Sequence, residues 1–232
     1  MKVKSFGCSF IYGSDLADDG NGLYNDGSGL YIAPPSKLSW PSLVAQNMNL
    51  PYECYAYPGS GNLRILEQLL CQAATDDPAL FIIGWTWIDR FDYVDEPNQF
   101  VRYPWKTIGP GHTTDLSRLY FKNFHSQFRD KLVTLSYIKL AIDTLKQKNY
   151  PFIMTYMDDL IFETKWHCNP AITDMQEYMR PYLSNFDGMS MLDWSRKSGY
   201  NISKDWHPLE QAHAAAGQHV VSNLGSYIKQ PV

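Results

Sequence analysis

A serine near the start of the chain is the first residue whose surroundings fit a catalytic role. Ser9 directly follows the short apolar segment Lys2–Cys8, and Gly7 lies two residues before it. A serine at the carboxyl end of a buried strand can present its hydroxyl at the edge of a sheet while its own backbone N–H stays free. This position suits a nucleophile, but a serine that merely caps a helix occupies the same kind of place.

The candidate base lies near the other end of the chain. His207 follows Asp205 by two residues and precedes Pro208, which favours the first turn of a helix. On a loop before that helix, the carboxylate can orient the imidazole and stabilise its charged form. Asp205 and His207 therefore predict a general base, whereas an isolated histidine is usually only a solvated surface group.

A glycine-rich turn between these segments offers hydrogen-bond donors. Residues Pro58–Asn62 read P-G-S-G-N and precede a helical pattern, so Gly59 and Gly61 stand where a helix begins. Backbone N–H groups at a helix N-terminus can stabilise an oxyanion, although a plain glycine turn explains the sequence equally well. The spacing is not G-x-G-x-x-G, and no acidic residue follows where a ribose would need one, so a dinucleotide site is not predicted.

Short apolar segments alternate with helical patterns along the chain. The predicted strands are Lys2–Cys8, Tyr52–Ala56, Leu80–Trp85, Phe152–Met157 and, more weakly, Met189–Leu192. The helical patterns cover Leu63–Leu70, Leu132–Leu145 and Leu209–Tyr227. This alternation predicts a three-layer α/β/α sandwich with a central parallel sheet of about five strands, whose carboxyl edge gathers the chemistry.

The 232 residues suit one domain, and we expect residues 1–232 to form it. Two segments rich in glycine, proline or short polar residues, at roughly 14–39 and 89–123, interrupt the alternation and predict long loops. Loops of that length are either functional lids and binding loops or surface decoration. Aromatic residues make up 15% of the chain, which excludes disorder and is compatible with a stacking surface.

Charge and hydropathy exclude several classes of partner. The net charge is −4 and no basic tract appears, so nucleic acid is not an expected partner. No long apolar stretch and no secretory leader are present, so we expect no membrane association and a cytoplasmic location, which a virion component would share. The oligomeric state remains unknown at this point.

Cysteine and histidine spacings do not indicate a metal centre. Cys8, Cys54, Cys71 and Cys168 form no C-x-x-C pair, which argues against both a zinc ribbon and a disulfide framework. Along a helix, the six-residue steps from His207 to His213 and His219 rotate about 240° each, so the three rings cannot share one face. We expect no metal and no cofactor.

Taken in chain order, these segments resemble the SGNH (GDSL-like) hydrolases from Phe6 to His219. Ser9 stands at the nucleophile position, in Gly-Cys-Ser rather than Gly-Asp-Ser, and Gly59 at the oxyanion glycine. Gly84-Trp85-Thr86 occupies the place of Gly-x-Asn, and Asp205 and His207 fall on the last block, with His213 on the following helix. The resemblance implies an SGNH/flavodoxin-like fold.

The resemblance also implies a serine-dependent esterase whose catalytic residues are Ser9, Asp205 and His207. Oxyanion donors would be the N–H groups of Ser9 and Gly59, completed by the side chain of Thr86 or Asn62. The tryptophans Trp85, Trp87 and Trp206 would lie beside the pocket and stack on a sugar ring or line an acyl site, unless they pack in the core.

Three functions follow as alternatives. The first is hydrolysis that removes a short acyl group, such as acetyl, from a carbohydrate or another small ester. The second is O-acyl transfer, because the spacing from Asp205 to His207 is shorter than in the hydrolases and looks like that of SGNH-type O-acyltransferases. The third is a glycan-binding or structural module of a virion that has lost catalysis, which the replacement of asparagine by Thr86 favours.

Overall fold

The computed structural model describes residues 1–19, 23–25, 30–32, 34–75, 77–94, 105–166 and 169–229. The strands are β1 (Lys2–Phe6), β2 (Leu23–Asn25), β3 (Leu30–Ile32), β4 (Tyr52–Cys54), β5 (Ala79–Trp85), β6 (Phe91–Val94), β7 (Trp105–Ile108) and β8 (Phe152–Tyr156). The α-helices are α1 (Ser9–Tyr12), α2 (Trp40–Asn47), α3 (Asn62–Ala73), α4 (Asp115–Asn123), α5 (Gln127–Gln147), α6 (Pro170–Met179), α7 (Met191–Lys197), α8 (Glu210–Ser222) and α9 (Leu224–Tyr227). Two short 3₁₀ helices cover Asp159–Ile161 and Arg180–Tyr182.

Four strands form the central sheet, in the order β4-β1-β5-β8, and all of them are parallel. Successive side chains of β5 point to opposite faces, so Phe81 and Ile83 enter one hydrophobic cluster and Leu80 and Ile82 the other. Helices α3 and α5 cover the first face, whereas α2 and α8 cover the second. The predicted three-layer α/β/α architecture is therefore confirmed.

The predicted fifth strand, Met189–Leu192, is wrong, because α7 begins at Met191. The edge of the sheet beside β8 carries instead two isolated bridges, a parallel one between Met154 and Leu183 and an antiparallel one between Phe152 and Lys229. In the first of them, Ser184 N–H donates to the Met154 carbonyl at 2.8 Å. Asn185 Oδ1 accepts the Tyr156 N–H at 3.0 Å, so a side-chain oxygen takes the place of the backbone carbonyl that a fifth strand would have supplied.

The two segments predicted as long loops contain regular structure. Strands β2 and β3 pair antiparallel within 14–39, and β6 and β7 pair antiparallel within 89–123, which also contains α4. Parts of both segments, and Cys168, lie outside the described residues. No helix in the described ranges combines the length and the hydropathy needed to cross a membrane.

Helix α8 carries a buried histidine that caps another helix. His213 is 1% exposed, and its Nδ1 accepts the backbone N–H of Trp40, the first residue of α2, at 3.0 Å. The N-cap residue Ser39 makes no side-chain cap, so His213 satisfies a donor that would otherwise be unpaired. Burial, with a smaller contribution from His207, lowers the pKa of His213 to about 3.

This cap should make folding stability depend on pH. Below pH 6.5 the unfolded chain protonates His213 while the folded chain keeps it neutral, so the stabilisation is complete above that pH and declines as pH falls toward 3. We expect the free energy of unfolding, measured with urea, to fall by roughly 2 kcal/mol from this group between pH 7 and pH 5.

The variant H213Q tests this origin. Glutamine can still accept the Trp40 N–H but does not titrate, so the variant should be less stable at pH 7 and lose this part of the pH dependence. The matched control is Q211A on the same helix, because Gln211 is exposed and carries no titratable group. An unchanged slope in H213Q would contradict the assignment.

Candidate active site

The position of Ser9 is fixed by a close approach of backbone to side chain. Helix α1 starts at Ser9, immediately beyond the end of β1, and brings Ile11 back against the sheet. A Cβ at Gly7 would stand 2.9 Å from Ile11 Cβ and 3.1 Å from the Gly84 carbonyl oxygen, and a Cβ at Gly84 would stand 2.7 Å from Ile11 Cγ1. Both glycines are therefore needed for the chain to turn at Ser9.

Ser9 and His207 line the same pocket, which has a volume of about 440 Å³. Its walls are Ser9, Phe10, Trp87, Arg90, Leu192, Arg196, Asp205, Trp206 and His207. We call it the serine pocket. The Phe10 ring meets the His207 ring edge-on, with centroids 5.5 Å apart. Among the described residues, no hydrogen bond joins Ser9 Oγ to the imidazole.

The carboxylate that holds His207 is Asp15, from the loop after α1. Asp15 Oδ2 lies 2.8 Å from His207 Nδ1. Because a carboxylate only accepts, Nδ1 carries the proton, and Nε2 is left as the ring's acceptor. Asp15 has a φ of +68°, a left-handed conformation that aspartate adopts more readily than most residues.

Asp205, the predicted partner of His207, makes no hydrogen bond to the ring in the described structure. It is exposed on the rim of the serine pocket, where its backbone N–H donates to Ser203 Oγ at 3.2 Å. Trp206 lies between the two and has a left-handed φ of +68°, so the backbone turns between Asp205 and His207. The loop placement predicted for His207 is retained, although α8 begins only at Glu210.

One hydroxyl organises the loop that carries the histidine. Ser203 Oγ donates to Asp15 Oδ2 at 2.6 Å and accepts the backbone N–H groups of Asp205 and His207, each at 3.2 Å. Burial by itself would raise the pKa of Asp15, but the hydrogen bonds from Ser203 and His207 outweigh it, and the pKa is lowered. Asp15 is therefore an ionised carboxylate with two donors.

Neither of the two side chains predicted to complete the oxyanion site lines the serine pocket. Asn62 Nδ2 donates to the Thr86 carbonyl at 3.1 Å and lies 3.3 Å from Thr134 Oγ1, and Asn62 Oδ1 accepts the Thr86 N–H at 2.9 Å. Thr86 is fully buried, and its hydroxyl has no partner in the described structure. Asn62 therefore fastens the start of α3 to the end of β5.

Of the two glycines before α3, only Gly59 remains a candidate donor. The Gly61 N–H donates to Asp92 Oδ1 at 2.9 Å, and a Cβ at Gly61 would stand 2.6 Å from the same carboxylate. Gly59 has a φ of +79° and lines a neighbouring pocket, which shares Arg90 with the serine pocket.

The structure separates the three predicted pocket tryptophans. Trp87 and Trp206 line the serine pocket, and Trp206 is 62% exposed, with the Arg196 guanidinium 4.7 Å from its ring centre. Trp85 is fully buried in the cluster beneath α3 and α5, because it continues the alternation of Phe81 and Ile83 along β5.

Sequence reasoning missed Asp15, Ser203 and Arg196. The segment Tyr12-Gly13-Ser14-Asp15 follows the serine closely, and an acidic residue in a glycine turn at the carboxyl edge was an available signal for Asp15. Ser203 carried none, because its role depends on the shape of a folded loop. Within the described ranges, no three His, Cys, Asp or Glu side chains gather as a metal would require.

No protein-family model matches the chain, and no curated protein matches its sequence. Among solved structures, a lipolytic protein of the G-D-S-L family from Veillonella parvula DSM 2008 is similar over 97% of this chain and 98% of its own, with a TM-score of 0.51 and 11% identity. An active-site mutant of a family two carbohydrate esterase from Clostridium thermocellum is similar over 97% of this chain and 64% of its own, with a TM-score of 0.52 and 11% identity. The resemblance predicted from the sequence is confirmed at the level of architecture: the chain has the fold of the SGNH (GDSL-like) hydrolases.

Proposed function

We propose that the protein is a serine-dependent carboxylic ester hydrolase that removes a short acyl group, such as acetyl, from a carbohydrate. The observation that carries the proposal is the serine pocket, which Ser9 and His207 both line and where Asp15 fixes Nδ1 of the imidazole. A histidine oriented by a carboxylate beside a serine hydroxyl is the arrangement that nucleophilic acyl transfer needs.

In the proposed reaction, His207 Nε2 takes the proton of Ser9 as Oγ attacks the ester carbonyl. The tetrahedral intermediate then expels the alcohol, which leaves with the proton from His207, and an acyl-serine remains. Water, deprotonated by the same imidazole, attacks the acyl carbon and releases the carboxylic acid and free Ser9. Asp15 stabilises the imidazolium in both halves. Catalytic hydrogen bonds are often long before substrate binds, which fits the separate Ser9 and His207 side chains.

We place oxyanion stabilisation on backbone N–H groups, those of Ser9 and Gly59. The places of Asn62 and Thr86 support this choice, because Asn62 is hydrogen-bonded to the Thr86 backbone and the buried Thr86 hydroxyl does not line the serine pocket. Losing one such donor typically costs about 100- to 1000-fold in rate, so the site would depend strongly on the turn at Gly59.

The walls of the serine pocket support a sugar as the alcohol. Trp206 is too exposed to be a core residue, and Trp87 also faces the pocket, so two aromatic faces are offered beside the nucleophile. Phe10 and Leu192 are the remaining apolar residues of the lining, which fits a short acyl chain better than a long one.

A glycan-binding module without catalysis is the second candidate. Thr86 stands where the hydrolases have asparagine, and its hydroxyl is buried. The described site therefore offers no side-chain amide to an oxyanion, which favours the binding module. The ionised Asp15 bound to His207 opposes it, since binding alone does not require an oriented imidazole.

Labelling of Ser9 separates the two candidates. We expect a fluorophosphonate probe to label the wild type and not S9A, and kcat/KM for p-nitrophenyl acetate to fall at least about 1000-fold in S9A, because the nucleophile is lost. The matched control is S14A, whose hydroxyl lies nearby in sequence but outside the serine-pocket lining. A well-folded wild type that neither reacts with the probe nor releases acetate would support the binding module.

A pair of aspartate variants identifies the acid. We expect D15N to lower kcat by roughly 1000- to 10,000-fold, because asparagine cannot stabilise the imidazolium, and D205N to lower it far less. Circular dichroism and thermal melts of both variants establish that they fold. The reverse order of the two effects would restore Asp205 as the partner of His207.

A further inference from the structure

A second pocket, of about 200 Å³, lies against the serine pocket. It is lined by Tyr57, Pro58, Gly59, Arg64, Arg90, Trp105, Thr107, Gly109 and His112. We call it the arginine pocket. Its described lining contains two arginines and a histidine but no acidic residue. A concave site with this charge attracts an anion.

Arg64 is the unusual member of this lining. It is 6% exposed, its Nε is buried without a hydrogen-bond partner, and its guanidinium carbon lies 3.5 Å from the centre of the Tyr57 ring. Burial lowers its pKa, which reflects the cost of holding the charge away from water. A buried guanidinium normally has a carboxylate partner, yet none of the described residues forms an ion pair with it.

Asp92, a carboxyl group that acts on Arg64 through space, already accepts hydrogen bonds from other groups. Asp92 accepts the backbone N–H groups of Gly61 and Arg64, each at 2.9 Å, and the Thr107 hydroxyl at 2.6 Å. Its charge favours the guanidinium of Arg64 through space, but its oxygens are held by these three donors. Among the described side chains, only Tyr57 hydrogen-bonds the guanidinium of Arg64, so the remaining donors of its planar fork can serve a ligand that enters the pocket.

Arg90 connects the two pockets. It lines both of them, donates to the Ser60 carbonyl at 3.0 Å, and places its guanidinium carbon 4.8 Å from the centre of the Trp87 ring. Among the described residues it forms no ion pair with a carboxylate. A substrate whose ester lies at Ser9 can therefore contact Arg90 in the serine pocket and extend past it into the arginine pocket.

We propose that the arginine pocket binds an oxyanion group of the substrate, so that the preferred substrate of the proposed esterase is an O-acylated acidic sugar. Arg64 forms the floor of this subsite, Arg90 its boundary with the serine pocket and His112 its open rim. The shared chemistry is a carboxylate, phosphate or sulfate, each of which matches a guanidinium fork. The acylated nature of the substrate rests on the proposed function, whereas the binding of an anion does not depend on it.

Calorimetric titration tests the anion site without catalysis. We expect wild-type protein to bind at least one of D-galacturonate, inorganic phosphate and inorganic sulfate, and to bind D-galactose at least about tenfold more weakly than D-galacturonate if the oxyanion is a carboxylate. The anion bound most tightly identifies the oxyanion. R64M and R90M should each weaken that binding at least about tenfold, whereas R118M, an exposed arginine on α4, should not.

The variant R64K serves as a control in case R64M fails to fold. Lysine keeps the positive charge but lacks the planar guanidinium that binds an oxyanion through two N–H groups. Binding in R64K that falls between that of wild type and R64M supports the subsite. Folded R64M and R90M proteins that bind all three anions as tightly as wild type would overturn it, as would a wild type that binds none.

A kinetic comparison distinguishes this proposal from the esterase assignment. We expect kcat/KM to be at least about tenfold higher for an acetylated galacturonan oligosaccharide than for an acetylated xylan oligosaccharide, and this ratio to collapse in R64M. Hydrolysis of both at equal rates, together with no anion binding, would leave the esterase standing and remove the subsite. Arginine-dependent anion binding without any hydrolysis would do the opposite.

Discussion

The hydrogen bond between Asp15 and His207 joins two loops separated by 192 residues, and the geometry of the candidate site depends on it. Without a partner, an imidazole on a half-exposed loop would sample many orientations. Asp15 fixes one ring nitrogen, and Ser203 fixes both the carboxylate and the loop backbone. Because Ser203 donates to Asp15 while it accepts from His207 N–H, aspartate, serine and histidine form one cooperative unit.

The parallel sheet brings that unit to the nucleophile. Strand β1 is central in the sheet, so the residues beyond its carboxyl end are surrounded by the ends of its neighbours. The turn at Ser9 is possible only because Gly7, directly after β1, and Gly84, on the adjacent strand β5, leave room for Ile11. Backbone packing thus explains the glycines of Gly7-Cys8-Ser9 and Gly84-Trp85-Thr86, the two segments that resemble family motifs.

Sequence reasoning succeeded where local pattern and chemistry agree. The four central strands and the loop that carries His207 follow from periodicity and from residue type, whereas the catalytic role of Ser9 stays a prediction. It failed where a choice depended on long-range geometry. Asp205 is nearer to the histidine in sequence than Asp15, but the left-handed turn at Trp206 cannot be read from residue spacing. The fifth strand failed because a short apolar run fits a helix equally well.

The carboxylates and the guanidinium groups around the site differ in how many partners the protein supplies to them. Asp15 and Asp92 are each satisfied by several donors supplied by the fold itself, including backbone N–H groups at the start of α3 in the case of Asp92. Arg64 and Arg90 form no ion pair with a described carboxylate, although Asp92 acts on Arg64 through space and burying a cation is costly. A fold that satisfies its anions internally and leaves adjacent cations without a carboxylate partner gains most when an anion binds between those cations. That asymmetry, rather than the number of arginines, is the physical reason to place an acidic ligand beside the serine.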